Sequence, residues 1–395
     1  MSTDTSTEDA IYLDHHATTP VDERVVEEMQ PYFTKQFGNP ASDDHLFGAE
    51  SKQGVEAARE QIAEAIGCRK EEIIFTSGAT ESDNLAVRGV AEYAEKHEKG
   101  SHIITSEIEH EAVLEVCDSL EEDGFDVTYL PVNDVGRVDP TEAEDAIRDD
   151  TVLMSVMAAN NEIGTIQPVA EIGELAKENQ VFFHTDAVQA VGYVSIDVQE
   201  MRIDLMSISS HKIYGPKGIG ALYVRRRRPK VKLEPLIHGG GHERGWRSGT
   251  LNVPAIIGFG KAVQLAERER ESRVEHVDEL TTYMWDRISD ELDDVVLNGD
   301  SNNRLPNNLN VSFLGVENKA LVKNLQPDIA VSAGSACTTG KVEASHVLQA
   351  IGGDEDRWHS AVRFGLGKDN TEKEAEYAVD EVVGAVNRLR SLQFG

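Results

Sequence analysis

IDLMSISSHKIYGPKGIG, residues 203–220, is the stretch from which the fold is read. Its first half is an apolar run with the composition of a buried strand. Its second half sets Lys212 at the end of that strand among serines, a histidine and glycines. A second apolar run, VFFHTDAVQ at 181–189, ends on Asp186. A carboxylate and an amine therefore leave two neighbouring strands at one edge. Taken singly, a lysine in a Gly-rich loop is an ordinary solvated turn residue, and Asp186 is an ordinary cap for a helix beginning near Ala187.

Taken together, the two groups meet the needs of an aldehyde cofactor with a pyridine nitrogen. The amine forms a Schiff base, and the carboxylate keeps the ring nitrogen protonated so that the ring accepts electrons. Pyridoxal phosphate is the cofactor this pair implies. A phosphate site follows from EEIIFTSGATESDN at 71–84, where an apolar strand meets SGAT and then a helix. Unpaired N–H groups and the positive dipole end of a helix N-terminus suit a phosphate. Thr80 and the amide of Ala79 are the expected donors, with Ser209 and His211 adding side-chain donors from the lysine loop. Glu81 and Asp83 lie in the same first turn and would oppose a dianion unless they face away.

Outward from these motifs, short apolar runs recur: EEIIFTS, HIITS, VTYLPV, TVLMSVMAAN, VFFHTDA, IDLMSIS and GALYVRR. Charged amphipathic stretches such as SDNLAVRGVAEYAEKHE separate several of them. The alternation predicts an α/β fold: a mainly parallel seven-stranded sheet flanked by helices, with ligands beyond the carboxyl ends of the strands. Residues 254–293 read mainly as long helix, and NNLNVSF, IAVSAGSAC and SAVRFGLG belong to a smaller α+β lobe. The expected division is a large cofactor-binding domain over 19–265 and a small domain over 1–18 and 266–395. No GxGxxG or GxxxxGK[ST] order occurs, so the glycines build no nucleotide site.

The balance of 71 acidic against 38 basic residues, net −33, argues against nucleic acid as a partner and suits a surface working at high salt. RRRRPKVK at 225–232 is the exception and reads as a solvated loop, with a local docking patch as the alternative. The polar, acidic start MSTDTSTEDA and the lack of a long apolar run point to a cytoplasmic protein. Three cysteines, Cys68, Cys117 and Cys337, form neither a disulfide framework nor a CxxC pair.

YLDHHATTP, GNPAS, FTSGATESDN, ANNEIG, HTDAVQ, SSHKIYGPKGIG, HGGGHERGWRSGT and VSAGSACTTG follow one another in an order that resembles the cysteine desulfurases. These are pyridoxal-phosphate enzymes of fold type I, and the segment around Cys337 resembles their group I, NifS/IscS-like branch. The resemblance covers nearly the whole chain. It implies conversion of L-cysteine to L-alanine, with sulfur passing through a Cys337 persulfide to an iron–sulfur scaffold or sulfur-carrier protein, for cluster assembly or tRNA thiolation. Carried over by motif, Lys212 resembles the Schiff-base lysine, Asp186 the pyridinium partner and Gln189 the donor to the cofactor's phenolic oxygen. His110 resembles the ring that stacks on the cofactor and moves protons. Asn161 resembles a substrate-side contact, and Arg363 the clamp for the substrate carboxylate, where a planar guanidinium suits bidentate pairing.

The loop ending at Thr250 resembles one that reaches the phosphate of a second subunit, which implies a homodimer. Its histidines are not expected to bind metal. Cys337 lies among small polar residues of a segment suited to motion. The given sequence ends at NRLRSLQFG, where many members run on into a scaffold-docking tail, so the docking mode does not carry over. Selenocysteine or cystine lyase and aminotransferase are the alternative activities on this fold, and a non-catalytic interaction protein is the alternative of another class.

Overall fold

The computed structural model describes residues 10–42, 44–333 and 344–393. All seven apolar runs are strands of one sheet: β1 (Ile73–Thr76), β2 (His102–Ser106), β3 (Asp126–Leu130), β4 (Thr151–Ser155), β5 (Phe182–Asp186), β6 (Leu205–Ser209) and β7 (Gly220–Val224). Across the sheet the order is β1-β7-β6-β5-β4-β2-β3. Only β7 runs against its neighbours; β6, β5, β4, β2 and β3 pair in parallel.

Helices cover both faces, and strand periodicity decides which residue meets which layer. Ile73, Phe75, Met154, Phe183, Met206 and Ile208 join one core. Ile74, Leu153, Leu205 and Leu222 join the other. The first core is closed by Leu46–Ala65 and Val253–Arg268, and the second by Ala79–Lys96 and Glu111–Glu122. Thus β5 sends Phe183 to one face and, two residues apart, His184 and Asp186 to the other. The same alternation directs Ser207 of β6 towards the Ala79–Lys96 side.

A separate apolar core is built from a three-stranded antiparallel sheet, Val295–Leu297, Asn308–Phe313 and Ala361–Gly365. Glu372–Gln393 packs on it through Ala378, Val379, Val382, Ala385 and Val386, a helical i, i+1, i+4, i+7, i+8 stripe. Ile11–Tyr12 pairs in parallel with Ile329–Ala330, so the start of the described chain packs with this C-terminal core.

Two local expectations are corrected. Residues 254–293 form two helices, Val253–Arg268 and Arg270–Glu291, which meet at Glu269. Arg24 holds the Glu269 carboxylate at 2.6 and 3.1 Å at that junction. No helix begins at Ala187 either. Asp186 Oδ1 accepts the Val188 N–H at 2.9 Å, and the chain turns through Val188–Ala190. This Asx-type bond satisfies the backbone without a helical turn.

The glycine-rich segment 238–250 is tied to the sheet edge by one buried ion pair. Glu243 accepts two Arg59 N–H bonds at 2.8 Å and also the Phe75 N–H at 2.8 Å. Both charged side chains are 3 % exposed. Removing one partner of such a pair strands the other charge. Glu243→Ala is therefore expected to lower unfolding stability by about 3 kcal/mol or more. Denaturant titration at constant salt checks this; a loss below about 1 kcal/mol, typical of a surface pair, would contradict it.

Candidate active site

Beyond the carboxyl ends of β4, β5 and β6 lies a cavity of about 580 Å³. It brings together nine of the predicted residues: Ala79, Thr80, His110, Asn161, Asp186, Gln189, Ser209, His211 and Lys212. Thr250 is exposed and does not line this cavity. Arg363 stands behind the lining, and Cys337 lies outside the described residues.

Lys212 ends a short 3-10 turn, Ser210–Lys212, directly after β6. Its ammonium donates to the backbone carbonyls of His16 and Ala17, the latter at 3.0 Å. Burial, and then the Arg363 charge, lower it to about 8, against the pull of Asp186 and Asp14. Opposite it, burial pushes the Asp186 carboxyl above the ordinary carboxylate range, while the neighbouring His110 and Lys212 pull it back. A cation brought against Asp186 would relieve that strain, which is what a protonated ring nitrogen supplies.

His110 is both a cap and a cavity residue. Its Nδ1 accepts the Ala112 N–H at 3.1 Å at the start of Glu111–Glu122. The neutral ring therefore carries its proton on Nε2. Gln189 is oriented by His16: its Nε2 donates to the His16 carbonyl at 3.1 Å, and its Oε1 meets His16 Nδ1 at 2.9 Å. His16 is 2 % exposed, and burial followed by the Arg363 charge lowers it to about 3. Sequence reasoning placed YLDHHATTP in the family pattern and gave His16 no role; its paired histidines were the available signal.

At the phosphate end, Gly78 precedes Ala79–Lys96 at φ +156° and offers no capping side chain. The first-turn N–H groups of that helix thus lie at the cavity wall formed by Ser77, Ala79 and Thr80. A Cβ on Gly220 would meet Gly78 Cα at 2.8 Å, so β7 approaches this loop only as glycine. Of the two acids expected beside the phosphate, only Glu81 lies in the first turn, and both are accounted for. Glu81 takes Arg247 Nε at 2.9 Å and the Ser77 N–H at 2.7 Å, which hold it below its ordinary range although burial works against them. Asp83 is fully buried and does not line the cavity.

Arg363 crosses from the small core to this site. It donates to the Asn161 carbonyl and to Asp14 Oδ1, both at 2.8 Å, while its Nε has no hydrogen-bond partner. Lysine, carboxylate, helix terminus and cavity size together fit pyridoxal phosphate. Among the described residues no group of three or more His, Cys, Asp or Glu side chains is placed to hold a metal.

The class-V aminotransferase family matches residues 11–377. The chain is 52 % identical to the cysteine desulfurase IscS of Anaeromyxobacter dehalogenans (strain 2CP-C) over 382 residues, covering 97 % of this chain and 94 % of that one. It is 51 % identical to the Klebsiella pneumoniae cysteine desulfurase IscS over 384 residues, with 97 % and 94 % covered. This chain belongs to the cysteine desulfurases. A solved NifS-like protein superposes with a TM-score of 0.89 at 39 % identity, covering 96 % of this chain and 99 % of its own. SspA, solved in complex with cysteine, gives 0.80 at 38 %, covering 92 % and 100 %. The chain is thus a pyridoxal-phosphate-dependent cysteine desulfurase of fold type I.

The Lys212 value has a direct kinetic consequence. Its amine becomes the neutral nucleophile as pH rises through about 8, and not through the ordinary 10.5. The rate at which apoenzyme captures pyridoxal phosphate should rise with pH and level off above that point. Stopped-flow absorbance measures it, and a rate still climbing steeply well above pH 8 would contradict the assignment.

Proposed function

We propose that this desulfurase takes L-cysteine at the Lys212 cavity, releases L-alanine and carries the sulfur away on Cys337. The observation behind this reading is the gathering of Lys212, Asp186, His110 and Gln189 around one cavity that a helix N-terminus closes. The cysteine held by the structural neighbour SspA supports the choice of substrate. Bound pyridoxal phosphate supplies the electron sink for a substrate carbanion.

The protein's own groups do the rest. Lys212 Nζ would hold the cofactor's aldehyde carbon, and its amine is the base placed to take the substrate's Cα proton. Asp186 keeps the ring nitrogen protonated, and Gln189, aligned by His16, donates to the phenolic oxygen. Ala79, Thr80, Ser209 and His211 hold the phosphate. His110 would stack on the ring and move protons, and with Asn161 it lines the cavity on the substrate side. Arg363 exchanges Asp14 for the substrate carboxylate. Cys337 Sγ attacks the substrate sulfur; the carbon–sulfur bond breaks and its electron pair stays with the β-carbon, and protonation there, with return of the Cα proton from Lys212, yields alanine. The sulfur remains as the Cys337 persulfide.

The other two thiols support this choice of nucleophile. Burial pushes Cys117 up to about 12, and burial raises Cys68 as well. Thiols held protonated in this way are inert. Cys337→Ala should accordingly retain the cofactor and bind cysteine, yet lose nearly all sulfur release. Peptide mass mapping of wild type exposed to cysteine without reductant should find the added sulfur on Cys337. Sulfur on Cys68 or Cys117 alone, or full activity in the alanine variant, would sink the mechanism.

The persulfide's acceptor is an iron–sulfur scaffold or sulfur-carrier protein of the cytoplasm, serving cluster assembly or tRNA thiolation. The large unit is 19–265, and the small one is 1–18 with 266–395, which carries Cys337. Two such chains form a homodimer in which Thr250 reaches the partner's phosphate site. Support comes from the exposure of Thr250 and from an apolar patch around Phe37 and Phe47, whose rings lie 5.6 Å apart. Phe33, 62 % exposed, and Leu46, 80 % exposed, lie beside them in sequence. Large exposed patches of this kind mark interfaces. Sedimentation at high salt, where the −33 charge is screened, should report a dimer. A monomer that binds cofactor tightly and turns over would overturn this assembly.

A further inference from the structure

We infer that Asp83 is held as a neutral carboxylic acid behind Asp186, a positioning residue that leaves Asp186 as the single negative charge facing the cofactor's ring nitrogen. This rests on the reading of Asp186 given above. Asp83 belongs to Ala79–Lys96 and approaches the face of β5 that carries His184 and Asp186. It is 0 % exposed, and neither of its carboxyl oxygens has a hydrogen-bond partner. His184 Nε2 stands 3.7 Å from Asp83 Oδ1, beyond hydrogen-bonding distance.

The His184 ring is already occupied on both sides, by Ser155 Oγ at 2.8 Å and Ser207 Oγ at 3.0 Å. Ser207 is paired opposite Asp186 across β5 and β6. The titratable groups facing Asp83 are therefore His184 and Asp186 from β5, and Glu109 from the turn before Glu111–Glu122.

A buried carboxylate without a single donor is strongly disfavoured, and two carboxylates sharing one site cannot both ionise freely. Asp186 has Lys212 and His110 on its open side and the Val188 N–H on one oxygen. Asp83 has none of these, so the proton stays there. His184 cannot supply the missing cation, since burial lowers it to about 3. Burial, then the nearby Asp186, raises Asp83 well above its ordinary range; the Ser207 hydroxyl works the other way and does not outweigh them, and Glu109 adds to the rise.

Infrared difference spectroscopy of wild-type against Asp83→Asn holoenzyme tests this. The expected result is a carboxylic-acid carbonyl band that shifts in D2O, persists at neutral pH, and is absent from the variant. Because Asn replaces one neutral group by another, the pH midpoint of the cofactor's visible absorbance should move by less than about half a unit. Carboxylate bands lost in place of the acid band, or a midpoint shift of about one unit or more, would overturn the inference.

Glu109→Gln covers the case in which Asp83→Asn does not fold. Glu109 itself sits near 8, and Asp204, another buried acid, near 6. An acid band that remains in Glu109→Gln at neutral pH, where Asp204 is ionised, supports Asp83, and its absence overturns the assignment. Borohydride reduction with peptide mapping tests the site reading separately. A label on Lys217 in place of Lys212 would refute the site assignment, while the infrared band still reports on Asp83.

Discussion

A carboxylate buried at the end of a parallel strand is the constraint around which this site is arranged. Asp186 has lost most of its water, and burial drives its carboxyl upward. Its charge is affordable only where compensation is fixed in place. The Val188 N–H, the His110 side and the Lys212 ammonium meet that need from one direction. A pyridinium nitrogen would complete it. The same burial lowers Lys212 to about 8, so the amine is nearer neutrality, as its proposed role as a nucleophile requires. One desolvated cavity thus tunes acid and base in the directions the chemistry needs.

The N-terminal segment closes the site from the other side. His16 and Ala17 offer carbonyls to Lys212, His16 aligns Gln189, and Thr18 Oγ1 lies 3.1 Å from His211 Nδ1. His15 Nδ1 in turn meets the Gly365 carbonyl at 3.0 Å, beside Arg363 on the last strand of the small sheet. A short stretch near the start of the described chain therefore couples the lysine loop to the guanidinium expected to read the substrate. The Arg363 charge already contributes to lowering both Lys212 and His16, which places it electrically within the site although it stands behind the lining.

The segment 238–250 is anchored in a comparable way at the opposite edge. Glu243 and Arg244 adopt φ of +44° and +59°, conformations that are costly for residues with side chains. The buried Arg59 pair and the Arg247–Glu81 contact hold them. Glu81 is thereby turned from a liability at the helix start proposed for the phosphate into a tether for the loop that ends at Thr250.

Strand periodicity and turn chemistry are local properties, and so the seven strands, the lysine after β6 and the helix that follows SGAT were legible in the sequence. Family motifs extended that legibility to His110, Asn161 and Gln189. What the sequence could not decide was whether the first-turn acids face the phosphate, because helix phase relative to a sheet depends on packing; the fold turns Glu81 to Arg247 and buries Asp83. Nor could it show that the carboxylate of Asp186 would replace a helix start with an Asx-type turn, or that Glu269 would divide one expected helix into two. Residue order alone determined the elements and the chemical groups available. Only the tertiary structure decided which groups lost their water and which gained a partner, because burial and charge pairing are set by contacts between residues far apart in the chain.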